Sequence, residues 1–150
     1  IGACYANKKK PTYCFNGDGG LQMNIQELQF LKRENLPIKI IVLNNNALGM
    51  IRHFQEMYFD SKYYQTKPSG GYTAPSFAMI ANAYGIQSIQ VDASSVEKVK
   101  DLLMEDIPAL IEILIEEDTY VFPKLEFGKP NQDQEPLLDR ALYEEIMQKV

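Results

Sequence analysis

The side chains best able to do chemistry lie in two short polar clusters, Asn16-Gly17-Asp18-Gly19-Gly20 and Asn44-Asn45-Asn46. Asp18 offers a carboxylate, Asn45 a neutral amide oxygen, and the turn after Asn45 a main-chain carbonyl at Ala47. Three hard oxygens of this kind suit magnesium, which completes its shell with water and phosphate oxygens. Gly19 and Gly20 let backbone N–H groups approach a phosphate, and a helix predicted from near Asn24 adds its positive end. Alone, a Gly-Asp-Gly triplet is an ordinary turn and an Asn-Asn pair means little. Their joint spacing says more, because the intervening stretch holds one helix and one strand and so sends both clusters to adjacent strand ends.

The elements that must position these clusters read clearly. Pro11 to Phe15 is β-prone and runs into the glycines, which predict a sharp turn. Ile25, Leu28 and Leu31 recur at helical spacing until Asn35-Leu36-Pro37 stops them. Ile38 to Leu43 is nearly unbroken and β-branched, as in a strand covered on both faces. Helices are predicted from about Leu48 to Phe59, with Met50, Phe54 and Met57 or Tyr58 along its stripe, and from Pro75, in its first turn, to the cap at Gly85. Ile86 to Val91 and Pro108 to Ile115 are strands, and between them Ser94 or Ser95 caps a helix to about Met104, with Glu97 reaching back. Residues 116–136 read as an extended arm and 137–150 as a last amphipathic helix. The alternation implies an α/β fold: a doubly wound, mostly parallel sheet with helices on both faces, whose ligands bind outside the carboxyl ends of the strands.

Composition narrows the function classes. The 150 residues carry 45% apolar and 23% charged side chains, an ordinary globular mixture. A net charge of −5 opposes binding to a nucleic-acid backbone, and the basic run Lys8-Lys9-Lys10 reads as a solvated loop. Cys4 and Cys14 match neither a zinc nor a redox spacing, so both are expected to be buried free thiols. No apolar stretch is long enough to span a bilayer and no signal peptide is visible, so a cytoplasmic location is expected, with no membrane partner. The chain opens on Ile1 in a small, apolar helical segment, which is read as one domain, 1–150, excised from a longer polypeptide.

The remaining candidates have ordinary readings. Met50, Phe54 and Met57 suit core packing along a helix. His53, the single histidine, could act as an acid or base, but its neighbour Arg52 and the helix register put it on the surface. Tyr63, Tyr64 and Tyr72, in the loop from Asp60 to Tyr72, could close over a site or serve as interface aromatics.

Gly17-Asp18-Gly19 followed by Asn44-Asn45 resembles the magnesium and diphosphate motif of the thiamine diphosphate enzymes. The segments Gln22 to Leu28, Asn35 to Ile40 and Leu48-Gly49-Met50 are most similar to the catalytic subunit of acetolactate synthase, over roughly residues 1 to 115. The resemblance implies metal ligands at Asp18, Asn45 and the Ala47 carbonyl, and cofactor contacts at Gly17, Asp18, Gly19, Gly20, Asn45, Leu48, Gly49 and Met50. It places Met50 and Phe54 in a substrate channel. Position 20 is Gly where related enzymes often carry Ser, position 54 is Phe where many carry Trp, and the tail from Tyr120 to Pro136 departs from the biosynthetic enzyme.

In that family thiamine diphosphate, held with Mg2+, decarboxylates a 2-oxo acid and ligates the product to a second carbonyl. The glutamate that activates the cofactor lies in another domain, so these residues include no catalytic group and the piece alone is expected to be inactive. The resemblance further implies missing N-terminal domains of the same chain, FAD in a full-length enzyme, and a homodimer or homotetramer. Another thiamine diphosphate-dependent decarboxylase or carboligase is an alternative. So is a noncatalytic phosphate-binding module, although no Gly-x-Gly-x-x-Gly or Walker loop is present.

Overall fold

The computed structural model describes residues 1–122, 126–134 and 137–149 and packs as two units, Ile1–Thr119 and Tyr120–Val150. In the first unit four strands, β1 (Thr12–Gly17), β2 (Ile38–Asn44), β3 (Gln87–Asp92) and β4 (Ala109–Leu114), form one sheet in the order β1-β2-β4-β3. Every neighbouring pair is parallel. Parallel pairing requires long crossovers, and helices α1 (Gly2–Ala6), α2 (Asp18–Gln22), α3 (Glu27–Arg33), α4 (Gly49–Tyr58), α5 (Phe77–Ala83) and α6 (Lys100–Met104) surround the strands. The doubly wound α/β architecture is therefore the one expected.

Alternation along β2 shows why both faces are covered. Ile38, Ile40 and Val42 join Leu21, Leu28, Leu31, Phe77 and Ala81 in one apolar cluster, while Ile41 joins Val91, Val99 and Ile111 in another, with Leu102 and Leu103 against it. Successive residues of a strand point to opposite faces, so β2 feeds two cores and is buried along nearly its whole length. Each large aliphatic side chain removed from water there contributes about 1.5–3 kcal/mol.

Several local expectations are corrected. The chain enters α2 directly at Asp18, and Asn24 to Gln26 precede α3, where one helix from Asn24 was expected. Glycine is a poor helix former, but a side chain there would have to displace its neighbours: a Cβ on Gly19 would meet Leu48 Cδ2 at 2.4 Å and one on Gly20 would meet Asn16 Oδ1 at 2.3 Å. Pro75 lies ahead of α5, because Ser76 is the N-cap and its hydroxyl accepts from the Met79 N–H at 3.3 Å. Asp92, in place of Ser94 or Ser95, caps the next segment by accepting from the Ser94 N–H at 3.0 Å. That segment is a 3-10 run, Ala93–Val99, kinked at Ser95, before α6. Gly85, at φ +73, ends α5 as expected.

Three burial expectations also fail. Cys4 is buried but Cys14 is exposed, because β1 pairs only with β2 among the described residues. On α4 the buried side chains are Arg52 and His53, the histidine against its expected surface position, while Met50 is 44% exposed, so the apolar stripe is not the inward face within this unit. The reason is electrostatic: Arg52 Nη1 donates to the Glu117 carbonyl at 2.6 Å and lies 3.3 Å from Asp118 Oδ1, with Glu56 one turn along at 3.7 Å. Burial of the helix face holding this guanidinium carries the adjacent His53 inward with it.

In the second unit, helix α7 (Arg140–Met147) is capped by Asp139, which accepts from the Ala141 and Leu142 N–H groups at 3.1 Å. The expected arm and last helix include Pro123, Lys124, Leu125, Glu135, Pro136 and Val150, which lie outside the described residues. No helix of the described residues is long and apolar enough to cross a membrane.

Candidate functional site

The register of β1 on β2 pairs Gly17 with Leu43, so the residues that follow each strand emerge side by side at the carboxyl end of the sheet. Asp18 occupies the first turn of α2, where backbone N–H groups have no intrahelical partner and negative charge is favoured. After β2 the chain turns sharply, with Asn46 in the left-handed region at φ +51, a conformation asparagine tolerates better than most residues. The turn is stitched by its own amides: the Asn44 side-chain oxygen accepts from the Asn46 N–H at 2.9 Å, and that of Asn45 accepts from the Ala47 N–H at 3.2 Å.

The structure brings the two clusters together. The Ala47 N–H also donates to Asp18 Oδ2 at 3.1 Å, and the Tyr72 hydroxyl donates to the same oxygen at 3.2 Å. Asp18 is only 3% exposed. Burial pushes its carboxyl up from the ordinary value, against the hydrogen bonds from Gly19, Tyr72 and Ala47 that pull it down. Among the described residues no Lys or Arg stands against it. A buried carboxylate served only by neutral donors is costly to ionise and is stabilised by a cation brought from outside.

The donor set decides which cation fits. Among the described residues no group of three or more His, Cys, Asp or Glu could hold a metal ion. A cation at Asp18 would therefore rest on one carboxylate and the neutral oxygens of Asn45 and Ala47, a hard, low-charge set that suits magnesium shared with phosphate oxygens. Asn45 Nδ2 donates to the Glu117 carbonyl at 3.4 Å, which turns the carbonyl end of that amide toward Ala47.

The remaining expected residues separate. Leu48 lies against Gly19, its N–H donates to the Thr66 carbonyl at 2.8 Å, and the Gly49 N–H donates to the Ala47 carbonyl at 2.9 Å. Met50 is half-exposed on the first turn of α4. Phe54 stacks on Tyr58 at 6.0 Å and lines an apolar groove of about 290 Å³ with Ile51, Phe59 and Tyr64, whose lining includes none of Asp18, Asn45 and Ala47.

Four residues of the site carry roles that residue type and spacing did not assign. Tyr72 was legible only as a loop aromatic. Arg52 and Glu117 brace the Asn45 turn. Glu112, in the middle of β4, is fully buried: its Oε1 accepts from Asn44 Nδ2 at 2.8 Å and its Oε2 from the Ala78 N–H at 3.0 Å and Gln90 Nε2 at 2.9 Å. A lone acid within the apolar run Ala109 to Leu114 was the available signal. It forms one wall of a cavity of about 440 Å³ that also includes Asn44, Asn45, Asn46 and Ser76.

Residues 1–113 match the family model of the thiamine pyrophosphate enzyme, C-terminal TPP binding domain. The chain is 36% identical to the acetolactate synthase isozyme 2 large subunit of Escherichia coli (strain K12) over 135 residues, 89% of the chain and 24% of that protein. It is 36% identical to the acetolactate synthase large subunit of Lactococcus lactis subsp. lactis (strain IL1403) over 129 residues, 85% of the chain and 22% of that protein. Among solved structures it is similar to a Rhodococcus jostii RHA1 thiamine diphosphate-dependent 4-hydroxybenzoylformate decarboxylase, with a TM-score of 0.67 and 26% identity over 79% of the chain and 22% of that one. The chain thus spans about a quarter of the length of the curated relatives it matches.

Proposed function

Because the chain belongs to the family of thiamine pyrophosphate enzyme C-terminal TPP-binding domains, we propose that Asp18, Asn45 and the Ala47 carbonyl hold a magnesium ion that carries the diphosphate of the cofactor. The observation behind this reading is the buried Asp18 carboxylate, which receives only neutral donors and is hydrogen-bonded to the turn supplying the other two oxygens. Gly17, Gly19 and Gly20 bring backbone close to the diphosphate, and Leu48, Gly49 and Met50 form the opposite lip.

The parent enzyme would be acetolactate synthase-like: it decarboxylates a 2-oxo acid and ligates the product to a second carbonyl. The acetolactate synthase relatives support this. Thiamine diphosphate, once bound, supplies the carbon chemistry. This chain binds and orients it, and the groups that activate it come from elsewhere in the parent, so the domain alone is inactive. We place Met50 and Phe54 along the substrate approach, and the parent in the cytoplasm as a homodimer or homotetramer. The exposure of Met50, Ile51 and Phe59 supports a partner over α4. Similarity to a decarboxylase favours, as a second reading, decarboxylation without ligation.

Calorimetric titration of the parent enzyme with thiamine diphosphate and Mg2+ tests the site. Asp18→Ala should abolish magnesium-dependent binding, and unchanged affinity would overturn the assignment. Incubation with pyruvate should yield acetolactate; a carboxyl-free aldehyde as sole product would favour the second reading.

A further inference from the structure

The loop between α4 and α5 is fastened to the proposed metal site at three points. The Leu48 N–H donates to the Thr66 carbonyl at 2.8 Å, the Ala74 N–H donates to the Asn46 side-chain oxygen at 3.0 Å, and the Tyr72 hydroxyl donates to Asp18 Oδ2 at 3.2 Å. Each bond falls on a residue of the turn or on the carboxylate itself. The loop is built to deliver the tyrosine. A 3-10 turn at Pro68–Gly70 leads into Gly71 at φ +101, and the Tyr72 N–H closes back on the Lys67 carbonyl at 3.1 Å. A Cβ on Gly70 would meet the Tyr63 carbonyl oxygen at 1.9 Å, so the turn admits no side chain there. Tyr72 is 9% exposed, whereas Tyr64 of the same loop is 73% exposed.

We propose that Tyr72 is a positioning residue for the metal site, its hydroxyl fixing the rotation of the Asp18 carboxylate together with the Ala47 N–H. This rests on the magnesium assignment above. Two donors converging on one carboxylate oxygen hold the group in a single orientation, as hydrogen-bond partners of metal-binding carboxylates do. The type of donor matters. A lysine or arginine in that place would neutralise Asp18 and compete with the cation, whereas a phenol orients the carboxylate and leaves its full charge for the metal.

The experiment uses the metal-depleted parent enzyme, titrated calorimetrically with Mg2+ and separately with Ca2+ at saturating thiamine diphosphate, as wild type, Tyr72→Phe and Asp18→Ala. Tyr72→Phe keeps the ring and should weaken Mg2+ binding about 10–100-fold, the usual effect of losing such a partner. Ca2+ accepts irregular geometry and should lose less, so the ratio of Mg2+ to Ca2+ affinity falls. Because both affinities come from one preparation, the ratio does not depend on how much of the variant is folded. A Tyr72→Phe enzyme with a lowered melting temperature in chelator but an unchanged ratio has lost only packing, and that result overturns the proposal. If Asp18→Ala abolishes binding while Tyr72→Phe binds as wild type does, the metal assignment stands and the role of Tyr72 falls. If Asp18→Ala binds normally, both fall together.

Discussion

Glu112 Oε1 accepts a hydrogen bond from Asn44 Nδ2 at 2.8 Å, tying a carboxylate inside the sheet to the residue that opens the proposed metal-binding turn. Asn44 passes the restraint on, since its oxygen holds the Asn46 N–H and the Asn46 oxygen holds the Ala74 N–H. A buried acid is affordable here because every contact named above is a donor to it.

Glu112→Gln tests that chain of bonds. An amide must turn its NH2 group toward donors on one side, against Asn44 or against Ala78 and Gln90. We expect a loss of about 1–3 kcal/mol of unfolding free energy, the usual cost of a buried polar group left opposing its neighbour. Chemical denaturation of the variant measures it, and a stability equal to wild type would remove Glu112 from this role.

Gly20 and Asn16 should be coupled. A Cβ at position 20 would meet Asn16 Oδ1 at 2.3 Å, and that oxygen now accepts from the Gly17 N–H at 3.0 Å. Gly20→Ala therefore displaces the Asn16 side chain and costs about 1 kcal/mol, whereas in an Asn16→Ala background it costs little. A double-mutant cycle should give a coupling of about 0.5–1.5 kcal/mol, and strict additivity would contradict the geometry.

Lys39 supplies the pH prediction. Its side chain is fully buried on β2, and its ammonium donates to the carbonyls of Glu105 and Ile107. Burial lowers its pKa from the ordinary 10.5, with Glu105 and Asp106 opposing the shift. In the window between that lowered value and 10.5, the unfolded chain holds a proton that the folded chain has released, so this lysine makes stability rise with pH. As pH falls through the lowered value that contribution is lost. The unfolding free energy of wild type minus that of Lys39→Met should rise as pH is taken from neutral to 10.5. A constant difference would contradict it.

Residue order alone determined the parallel αβ alternation and the meeting of Asp18 with the Asn45 turn. Both depend on patterns that survive without coordinates: the unbroken apolar run of β2 demands cover on both faces, and one helix plus one strand between two polar clusters leads them to neighbouring strand ends. Helix starts were less legible, because Ser76 and Asp92 won their caps through local hydrogen bonds that several nearby residues could have made. The face of α4 was illegible, since its inward side is set by Arg52 reaching Glu117 and Asp118, far along the chain. Tyr72 shows the limit most clearly. Fifty-four positions from Asp18, its hydroxyl reaches the carboxylate only because a glycine turn aims it there, and no periodicity records such an aim. Local pattern places elements; contacts between side chains distant in sequence orient the groups that would hold the metal.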